Sequence, residues 1–162
     1  MQTEALMSKS VAACNPADSL ATAAQIMWDR DVGFLPVVEP DGNVVGTLTD
    51  RDIAMAGFMN DQPLAQIPVW RVMSTKVITC RTRTDVEEAE KLMRSAQVRR
   101  LPVLGEHDRL AGVLSLTDFA RASAGRREGM RGIDLAGTLA QIATSHSEAA
   151  GQTERRSPEL RA

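Results

Sequence analysis

The sequence contains very few aromatic residues and cysteines. Only 3% of its 162 residues are aromatic and none is tyrosine, so a core must be built from Val, Leu, Ile, Ala and Met. Two cysteines, Cys14 and Cys80, are too few for a secreted protein held together by disulfides. Neither lies in a spacing typical of metal ligands, and the sequence therefore supports no metal site.

Strong charge and long apolar runs are also absent. The net charge is −2 and the isoelectric point is about 5.7. This composition argues against a nucleic-acid partner, which usually requires a basic surface, but it does not exclude one small anion. No stretch approaches the ~20 apolar residues of a membrane helix, and the opening MQTEALMSKS does not resemble a signal peptide. We therefore expect a cytoplasmic protein with no membrane contact.

One short polar signature occurs twice at a fixed spacing. GTLTDRD runs from Gly46 to Asp52, and GVLSLTD runs from Gly112 to Asp118. When the chain is aligned with itself at an offset of 66 residues, thirteen of the 46 pairs that start at residues 7–52 are identical, without a gap. The chain is thus predicted to contain two copies of one unit. Each copy is too small to bury its apolar faces alone, so we expect the copies to pack on each other.

Each copy has the pattern of a β-α-β-β-α unit. An extended piece, SVAAC or KVITC, precedes a helix that is predicted over residues 18–31 in the first copy and 84–96 in the second. Two strands follow, joined by PDGN in the first copy and by EHD in the second. A second helix begins after Thr49 or Ser115. The sequence therefore predicts a mixed α/β (α+β) fold.

The first helix of each copy begins with an N-cap signal. Asp18 is the expected N-cap in the first copy. In the second copy, Thr84 followed by Glu87 is typical of a capping box, in which each side chain binds the other residue's backbone amide.

The hydroxyl-x-x-Asp part of the repeated signature has two compatible interpretations. Thr49 and Ser115 can cap a helix, with Asp52 and Asp118 reaching back to the cap amide. Alternatively, the carboxylate can accept hydrogen bonds from the hydroxyls of a ribose, while the hydroxyl and the amides at the helix start bind a phosphate. Spacing alone does not decide between a cap and a ligand clamp.

Prolines and glycines mark the two strands of each copy. Pro36 and Pro102 cannot donate to a sheet ladder, so this part of the strand lies at an edge or a bulge, or is left open to face a flat ring. Gly46 and Gly112 lack side chains in the next strand, which permits the close approach of a second backbone or of a ligand.

These residues together resemble the tandem cystathionine-β-synthase (CBS) domain pair, or Bateman module, of the stand-alone bacterial type. The matching features are VMS, FLPVV and RRLPVL, and the closing G-x-[LV]-[TS]-x-x-D of each copy. The resemblance implies two pseudo-twofold-related β-α-β-β-α repeats that pack through their sheets and leave two clefts. It also implies that the clefts bind AMP, ADP, ATP, S-adenosylmethionine or an NAD-like dinucleotide as a regulatory ligand rather than as a required cofactor.

The resemblance places the ligand-binding residues in two sets. In both sets the closing Asp would hold the ribose, the neighbouring hydroxyl or basic residue would lie near phosphate, and the earlier residues would line the base. The second-copy set comprises Val77, Ile78, Thr79, Arg100, Leu101, Pro102, Ser115, Thr117 and Asp118. The first-copy set comprises Val11, Ala12, Ala13, Phe34, Leu35, Pro36, Thr49, Arg51 and Asp52.

The two sets are not equivalent. Thr79 corresponds to Ala13, and Arg100 corresponds to Phe34, so the first copy lacks one hydroxyl and one cation. Because Arg100 can make a charge-assisted hydrogen bond, a monophosphate is expected to prefer the Asp118 cleft.

The expected organisation has five parts. Residues 5–57 and 72–122 form the two repeats, and residues 58–71 form a linker. A connector with a short C-terminal helix spans residues 123–145, with Leu135, Leu139 and Ile142 on one helix face. Residues 146–162 have almost nothing to bury and are expected to be a disordered tail.

Some residues outside the signature leave alternatives open. Cys14 and Cys80 are expected to be small buried hydrophobes, with a redox or metal pair as the alternative. Trp28 lies off the apolar stripe of its helix and is expected to mark the interface of a homodimer. Three arginines after residue 125 form either a solvated connector or a contact with phosphate or a partner; they are Arg126, Arg127 and Arg131.

Three functions remain distinct at this point. The favoured one is a nucleotide sensor that acts on an unknown regulated protein, which requires different ligand affinities for two arrangements. The second is a structural homodimerisation module with empty clefts. The third, an enzyme, has no supporting feature, because the sequence offers no catalytic pair and no phosphate-binding glycine loop.

Overall fold

The computed structural model describes residues 1–125, 130 and 132–152, with side chains described as far as residue 143. Ten helices and strands of the described chain are named here, and short 3₁₀ turns connect some of them. In chain order they are α1 (Leu20–Arg30), β1 (Phe34–Val38), β2 (Val44–Thr49), α2 (Asp50–Met59), β3 (Cys80–Arg81), α3 (Val86–Ala96), β4 (Arg100–Leu104), β5 (Leu110–Ser115), α4 (Leu116–Ala124) and α5 (Leu135–Gln152).

The two predicted copies fold alike. In each, an antiparallel hairpin pairs residues in the same register, with Phe34 opposite Thr49 in the first and Arg100 opposite Ser115 in the second. Both hairpins shift register at the corresponding place. The first extended piece is shorter than expected, since it is the two-residue β3 in repeat 2 and a single parallel bridge from Cys14 in repeat 1. The predicted mixed α+β fold is confirmed.

The start of α1 differs from its prediction by one cap. The N-cap is Ser19, whose side chain accepts a hydrogen bond from the amide of Thr22, so the helix begins at Leu20. The Asp18 carboxylate instead accepts from the amide of Asn15 at 2.8 Å. The expected N-cap was therefore wrong, because the Asn15 backbone amide binds the Asp18 carboxylate instead.

The predicted capping box at α3 is also wrong. Asp85 is the N-cap, and its side chain accepts from the amide of Glu87. Thr84 closes the preceding turn, where its hydroxyl oxygen accepts from the amide of Arg81 at 3.0 Å. In both helices the N-cap therefore lies one residue later than expected.

Two hydrophobic cores form, one in each repeat, and each is completed by a segment from elsewhere in the chain. Leu6 and Met7, at the start of the chain, pack in the core of repeat 2. Ile67 and Val69, from the stretch between the repeats, pack in the core of repeat 1. Because Leu6 precedes repeat 1 in the chain but packs in the core of repeat 2, the two repeats are not independent folding units.

The chain then crosses from one repeat to the other in two places, which we call the crossing segments, residues 8–14 and 74–80. Ser8 exchanges backbone hydrogen bonds of 2.9 and 3.0 Å with Val113 of repeat 2. Ser74 exchanges equivalent bonds of 2.9 and 3.0 Å with Thr47 of repeat 1. Each crossing segment therefore begins against one hairpin and ends in the other repeat.

The helix α5 is longer than predicted, because it continues to Gln152. The buried face also differs from the prediction. Thr138 and Ile142 are buried, four residues apart, whereas Leu139 is 45% exposed. The expected disordered tail of residues 146–162 is thus helical as far as Gln152. Its remainder, residues 153–162, and the arginines at 126, 127 and 131 lie outside the described residues.

The two cysteines are buried free thiols, as expected. Burial raises the pKa of the Cys14 thiol to about 12 and that of Cys80 to about 11. The described residues contain no group of three or more His, Cys, Asp or Glu side chains placed to hold a metal ion. Among the described helices, none has the length and apolar character needed to cross a membrane.

Candidate functional site

The repeated hydroxyl-x-x-Asp forms a capping box in both copies. The Asp52 Oδ2 atom accepts from the Thr49 backbone amide at 2.9 Å and from its hydroxyl at 2.7 Å. The Asp118 Oδ2 atom accepts from the corresponding atoms of Ser115 at 2.8 and 2.6 Å. The capping interpretation is therefore confirmed for both signatures. In each capping box the aspartate accepts through Oδ2, and Oδ1 takes no part in the box.

A cavity of about 790 Å³ lies between the repeats, beside the start of α2. Its size falls within the range of small-molecule sites. It brings together residues from both predicted sets. Its lining residues are Gly33, Phe34, Thr47, Thr49, Asp50, Arg51, Asp52, Ser74, Lys76, Ile78, Gln97, Val98, Arg99, Arg100, Pro102, Ile142 and Ala143. We call this cavity the Asp52 cleft.

The predicted grouping of site residues needs correction. Asp52 was grouped with Val11–Ala13, but in the structure it shares its cleft with Ile78, Arg100 and Pro102, which were assigned to Asp118. The reason is the crossing segment 74–80, which pairs with β2 at Ser74 and passes along repeat 1 before it reaches repeat 2. A site that was assigned within one repeat is thus composed of both.

Arg100 also lies elsewhere than expected. Its guanidinium carbon is 5.8 Å from the centre of the Phe34 ring, so the two residues that correspond by the repeat contact each other as a cation–π pair. Both line the Asp52 cleft. Arg100, on which the expected preference of a monophosphate for the Asp118 cleft rested, thus lies in the other cleft.

The surroundings of Asp118 are much smaller. Asp118 is only 8% exposed and borders a hollow of about 140 Å³ with Leu6, Arg121 and Ala122. An Arg121 nitrogen lies 3.9 Å from Asp118 Oδ1. Thr117 points into solvent as an exposed residue. This hollow is smaller than ordinary ligand sites.

The remaining predicted residues line neither of these spaces. Leu35 and Leu101 are fully buried in the cores of their own repeats. Pro36 is buried in β1. The other predicted residues of the crossing segments lie outside the cleft lining and are partly buried; they are Val11, Ala12, Ala13, Val77 and Thr79.

The Asp52 cleft combines a charged side with an apolar side. Four cationic and two anionic residues line it, which gives an excess of positive charge; they are Arg51, Lys76, Arg99, Arg100, Asp50 and Asp52. Apolar surface comes from Ile78, Val98, Pro102 and Ile142. A cation-rich region beside a helix start suits a phosphate, and an apolar wall suits a flat ring.

Sequence reasoning missed several lining residues. Ser74 and Lys76 reach the cleft because the crossing segment 74–80 pairs with β2. The sequence signal for them was the repeated Met-Ser pair at the start of each crossing segment. Arg99 is the neighbour of a residue that was predicted. Ile142 and Ala143 come from α5, which has no counterpart in repeat 1, so the repeat could not indicate them.

A second cavity, of about 460 Å³, lies on the outer face of repeat 1 between α1 and α2. Met27, Trp28, Val32 and Ile53 contribute to its apolar lining. Trp28 is 83% exposed, which confirms that it lies off the buried stripe of its helix. The corresponding outer face of repeat 2 is packed against α5.

Known proteins share this arrangement in sequence. The family model described as "CBS domain" matches residues 4–58 and 69–125. The CBS domain-containing protein YhcV of Bacillus subtilis is 38% identical over 114 residues, which cover 70% of this chain and 79% of YhcV. Hypoxic response protein 1 of Mycobacterium tuberculosis is 31% identical over 116 residues, which cover 72% of this chain and 80% of that protein.

Solved structures share it in three dimensions. The crystal structure of CBSX2 in complex with AMP is similar with a TM-score of 0.68 and 25% identity, and covers 78% of this chain and 98% of CBSX2. The structure of Hypoxic Response Protein I with two coordinated zinc ions is similar with a TM-score of 0.68 and 29% identity, and covers 75% of this chain and 98% of that one. The chain belongs to the CBS domain family and is built from two tandem CBS repeats.

Proposed function

We propose that this protein is a regulatory module that binds an adenine nucleotide in the Asp52 cleft. The observation that carries the proposal is the composite cleft, which joins a helix start, four cations and an apolar wall in about 790 Å³. The likeness to CBSX2, which was solved in complex with AMP, supports the same ligand class.

The geometry suggests a role for each side of the cleft. The backbone amides of residues 49–52, at the start of α2, already donate to oxygens of the chain itself. A phosphate would therefore be bound by side chains, with Lys76 and Arg100 as charge-assisted donors. A ribose hydroxyl would donate to Asp52 Oδ1, since the capping box occupies Oδ2. The adenine would lie against the apolar side, which includes Ile78.

The charge of the cleft favours some of the expected ligands over others. AMP, ADP, ATP and NAD carry phosphates, which the excess of cations attracts. S-adenosylmethionine carries a sulfonium cation, which the same residues repel. We therefore expect the phosphate-bearing ligands to bind the Asp52 cleft more tightly than S-adenosylmethionine.

Thermal unfolding with each of these five ligands tests the proposal. At a ligand concentration about 100 times the dissociation constant, binding adds about 2.7 kcal/mol to the free energy of unfolding. For a domain of this size the melting temperature should rise by roughly 5–10 °C.

Two aspartate substitutions make a matched pair for this assay. Asp52→Ala and Asp118→Ala each remove a capping box, at a cost of about 1 kcal/mol. The comparison is therefore made on the ligand-induced shift and not on the melting temperature itself. Asp52→Ala should abolish the shift, whereas Asp118→Ala should retain it. A shift that survives Asp52→Ala unchanged contradicts the assignment of the site.

The exposed apolar residues of repeat 1 favour a homodimer. Trp28 is 83% exposed, and Phe58 and Met59 on α2 are 84% and 74% exposed. Large apolar side chains that are exposed on both helices of this face favour a protein interface. Since α5 packs against α3 and α4 of repeat 2, we propose that two copies associate through the α1–α2 face of repeat 1.

The oligomeric state can be tested by light scattering after size-exclusion chromatography. Trp28→Glu should convert the dimer into a monomer. Trp70→Glu is the control, because Trp70 is also exposed, at 58%, but lies outside the cavity between α1 and α2. If no nucleotide shifts the melting temperature and the dimer is confirmed, a structural dimerisation module becomes the better account. A regulated protein remains the proposed target of the nucleotide-bound form, in the cytoplasm.

A further inference from the structure

The helix α5 is held against α3 by a buried polar cluster. The Thr138 hydroxyl donates to a Glu90 carboxylate oxygen and accepts from Arg94 Nε and Nη2 at 3.0 and 2.8 Å. Arg94 Nη2 also donates to the same Glu90 oxygen at 2.6 Å. Glu90 is 3% exposed and Thr138 is fully buried. Because buried polar groups are costly to leave unpaired, this cluster fixes one seating of α5 on α3.

That seating determines what reaches the Asp52 cleft. Ile142 lies four residues after Thr138, so the two side chains share one face of α5. Ile142 is 3% exposed, belongs to the core of repeat 2 and, with Ala143, also lines the cleft. The wall of the cleft is therefore completed by a helix that lies outside both matched CBS segments.

Repeat 1 provides a contrast within the same chain. Ala24 and Trp28 occupy the positions that correspond to Glu90 and Arg94, and the groove beside them is the open cavity of about 460 Å³. The polar cluster that seats α5 thus has no equivalent in repeat 1. The seating of α5 is a property of this chain's second repeat and not of the repeated unit.

We propose that docking of α5 on α3 is thermodynamically linked to occupancy of the Asp52 cleft, so that α5 carries the ligand signal to the C-terminal end of the chain. The inference rests on the nucleotide site proposed above and assigns its regulation. A ligand in the cleft contacts the wall that α5 supplies, and therefore favours the docked helix. By linkage, the factor by which the ligand favours the docked helix equals the factor by which docking increases the affinity for the ligand. A change that undocks α5 must therefore weaken ligand binding.

Three substitutions on α5 test one direction of the linkage, with AMP and ATP titrated separately by calorimetry. Ile142→Ala removes the side chain from the cleft wall and should raise the dissociation constant at least fivefold. Thr138→Val removes the seating hydroxyl at a residue that does not line the cleft, and should raise it at least threefold. Leu139→Ala is the control, because Leu139 is 45% exposed on the same helix, and should change it less than twofold.

Hydrogen exchange on the unmodified protein tests the other direction. Saturating nucleotide should slow exchange of the α5 amides over residues 138–143 at least threefold, and Asp52→Ala should abolish the slowing. This readout does not depend on whether a core variant such as Ile142→Ala folds.

The outcomes separate this inference from the function it rests on. If nucleotide binds in an Asp52-dependent manner but α5 exchange and the Thr138→Val affinity are unchanged, α5 is only a structural support and the linkage is wrong. If neither AMP nor ATP binds the unmodified protein, the proposed function fails and the linkage falls with it.

Discussion

The glycines of the two hairpins offer a direct test of how the crossing segments pack against the hairpins. A Cβ atom at Gly112 would lie 2.6 Å from the sulfur of Met7 and 2.9 Å from the Ser8 backbone oxygen. A Cβ atom at Gly46 would lie 2.6 Å from the sulfur of Met73 but 3.2 Å from the Ser74 oxygen. A methionine end can move, whereas a backbone oxygen that is fixed by hydrogen bonds cannot. The alanine variant at Gly112 should therefore be the more damaging one.

The expected magnitudes follow from this difference. Overpacking costs about 1–3 kcal/mol, and the loss of a glycine from the unfolded chain returns about 0.4–1 kcal/mol. Gly112→Ala should lower the free energy of unfolding by about 2 kcal/mol, which corresponds to a fall of roughly 4–8 °C in the melting temperature. Gly46→Ala should lower the free energy by at most about 1 kcal/mol.

Urea unfolding followed by circular dichroism measures these differences, and Gly57→Ala supplies the control. Gly57 lies in α2, and the nearest heavy atom to its Cβ would be a Leu64 methyl at 3.6 Å. Its replacement should stabilise the protein by about 0.5–1 kcal/mol, because alanine is the better helix residue. If Gly112→Ala is as stable as Gly57→Ala, the Ser8 segment does not pack against β5 as the structure has it.

Other parts of the structure yield three further predictions. Arg94→Met should lower the free energy of unfolding in urea by about 2 kcal/mol, because Glu90 would keep a buried charge without its cation; a loss under 0.5 kcal/mol would contradict the buried pair. Cys14 and Cys80 should resist a thiol reagent at pH 8 in the folded protein, since burial raises the pKa of both thiols, and both should react in denaturant; rapid labelling without denaturant would refute this. The folded-state pKa of Asp85 is lowered, chiefly by the backbone N–H of Glu87. Its stabilisation of the fold is therefore present above about pH 4 and is lost as the pH falls through the folded-state pKa. Asp85→Asn should reduce the loss of stability in acid, measured by urea unfolding at several pH values, and an unchanged pH dependence would exclude the contribution.

The repeat made the hairpins predictable from the sequence. Alternating apolar residues, Pro36 and Gly46 specify strands, and the same residues recur 66 positions later, so one register implied the other. The capping boxes were predictable for the same reason, since Thr49 and Asp52 interact over three residues. These features depend on neighbours in the sequence.

The composition of the cleft was not predictable in this way. It depends on a crossing segment that pairs at Ser74 with β2 of the preceding repeat. The pattern of apolar residues within one repeat does not indicate which strand of the other repeat a segment pairs with. The two N-caps were misplaced by one residue because the side chains of Asp18 and Thr84 accept hydrogen bonds from other nearby backbone amides. The seating of α5 escaped prediction because Thr138, a polar residue, is buried beside Ile142 and has its hydrogen-bond partners on α3.

The crossing segments have a consequence for how such a protein could have arisen. Since Ser74 and Lys76 of one unit line the same cleft as Thr47 and Asp52 of the other, a gene encoding a single unit would supply only part of the lining of the Asp52 cleft. Two such chains would have had to exchange their leading segments to assemble one. In this chain one polypeptide supplies both crossing segments, and the two sides differ: the Asp52 cleft is about 790 Å³ with an excess of cations, whereas the hollow at Asp118 is about 140 Å³.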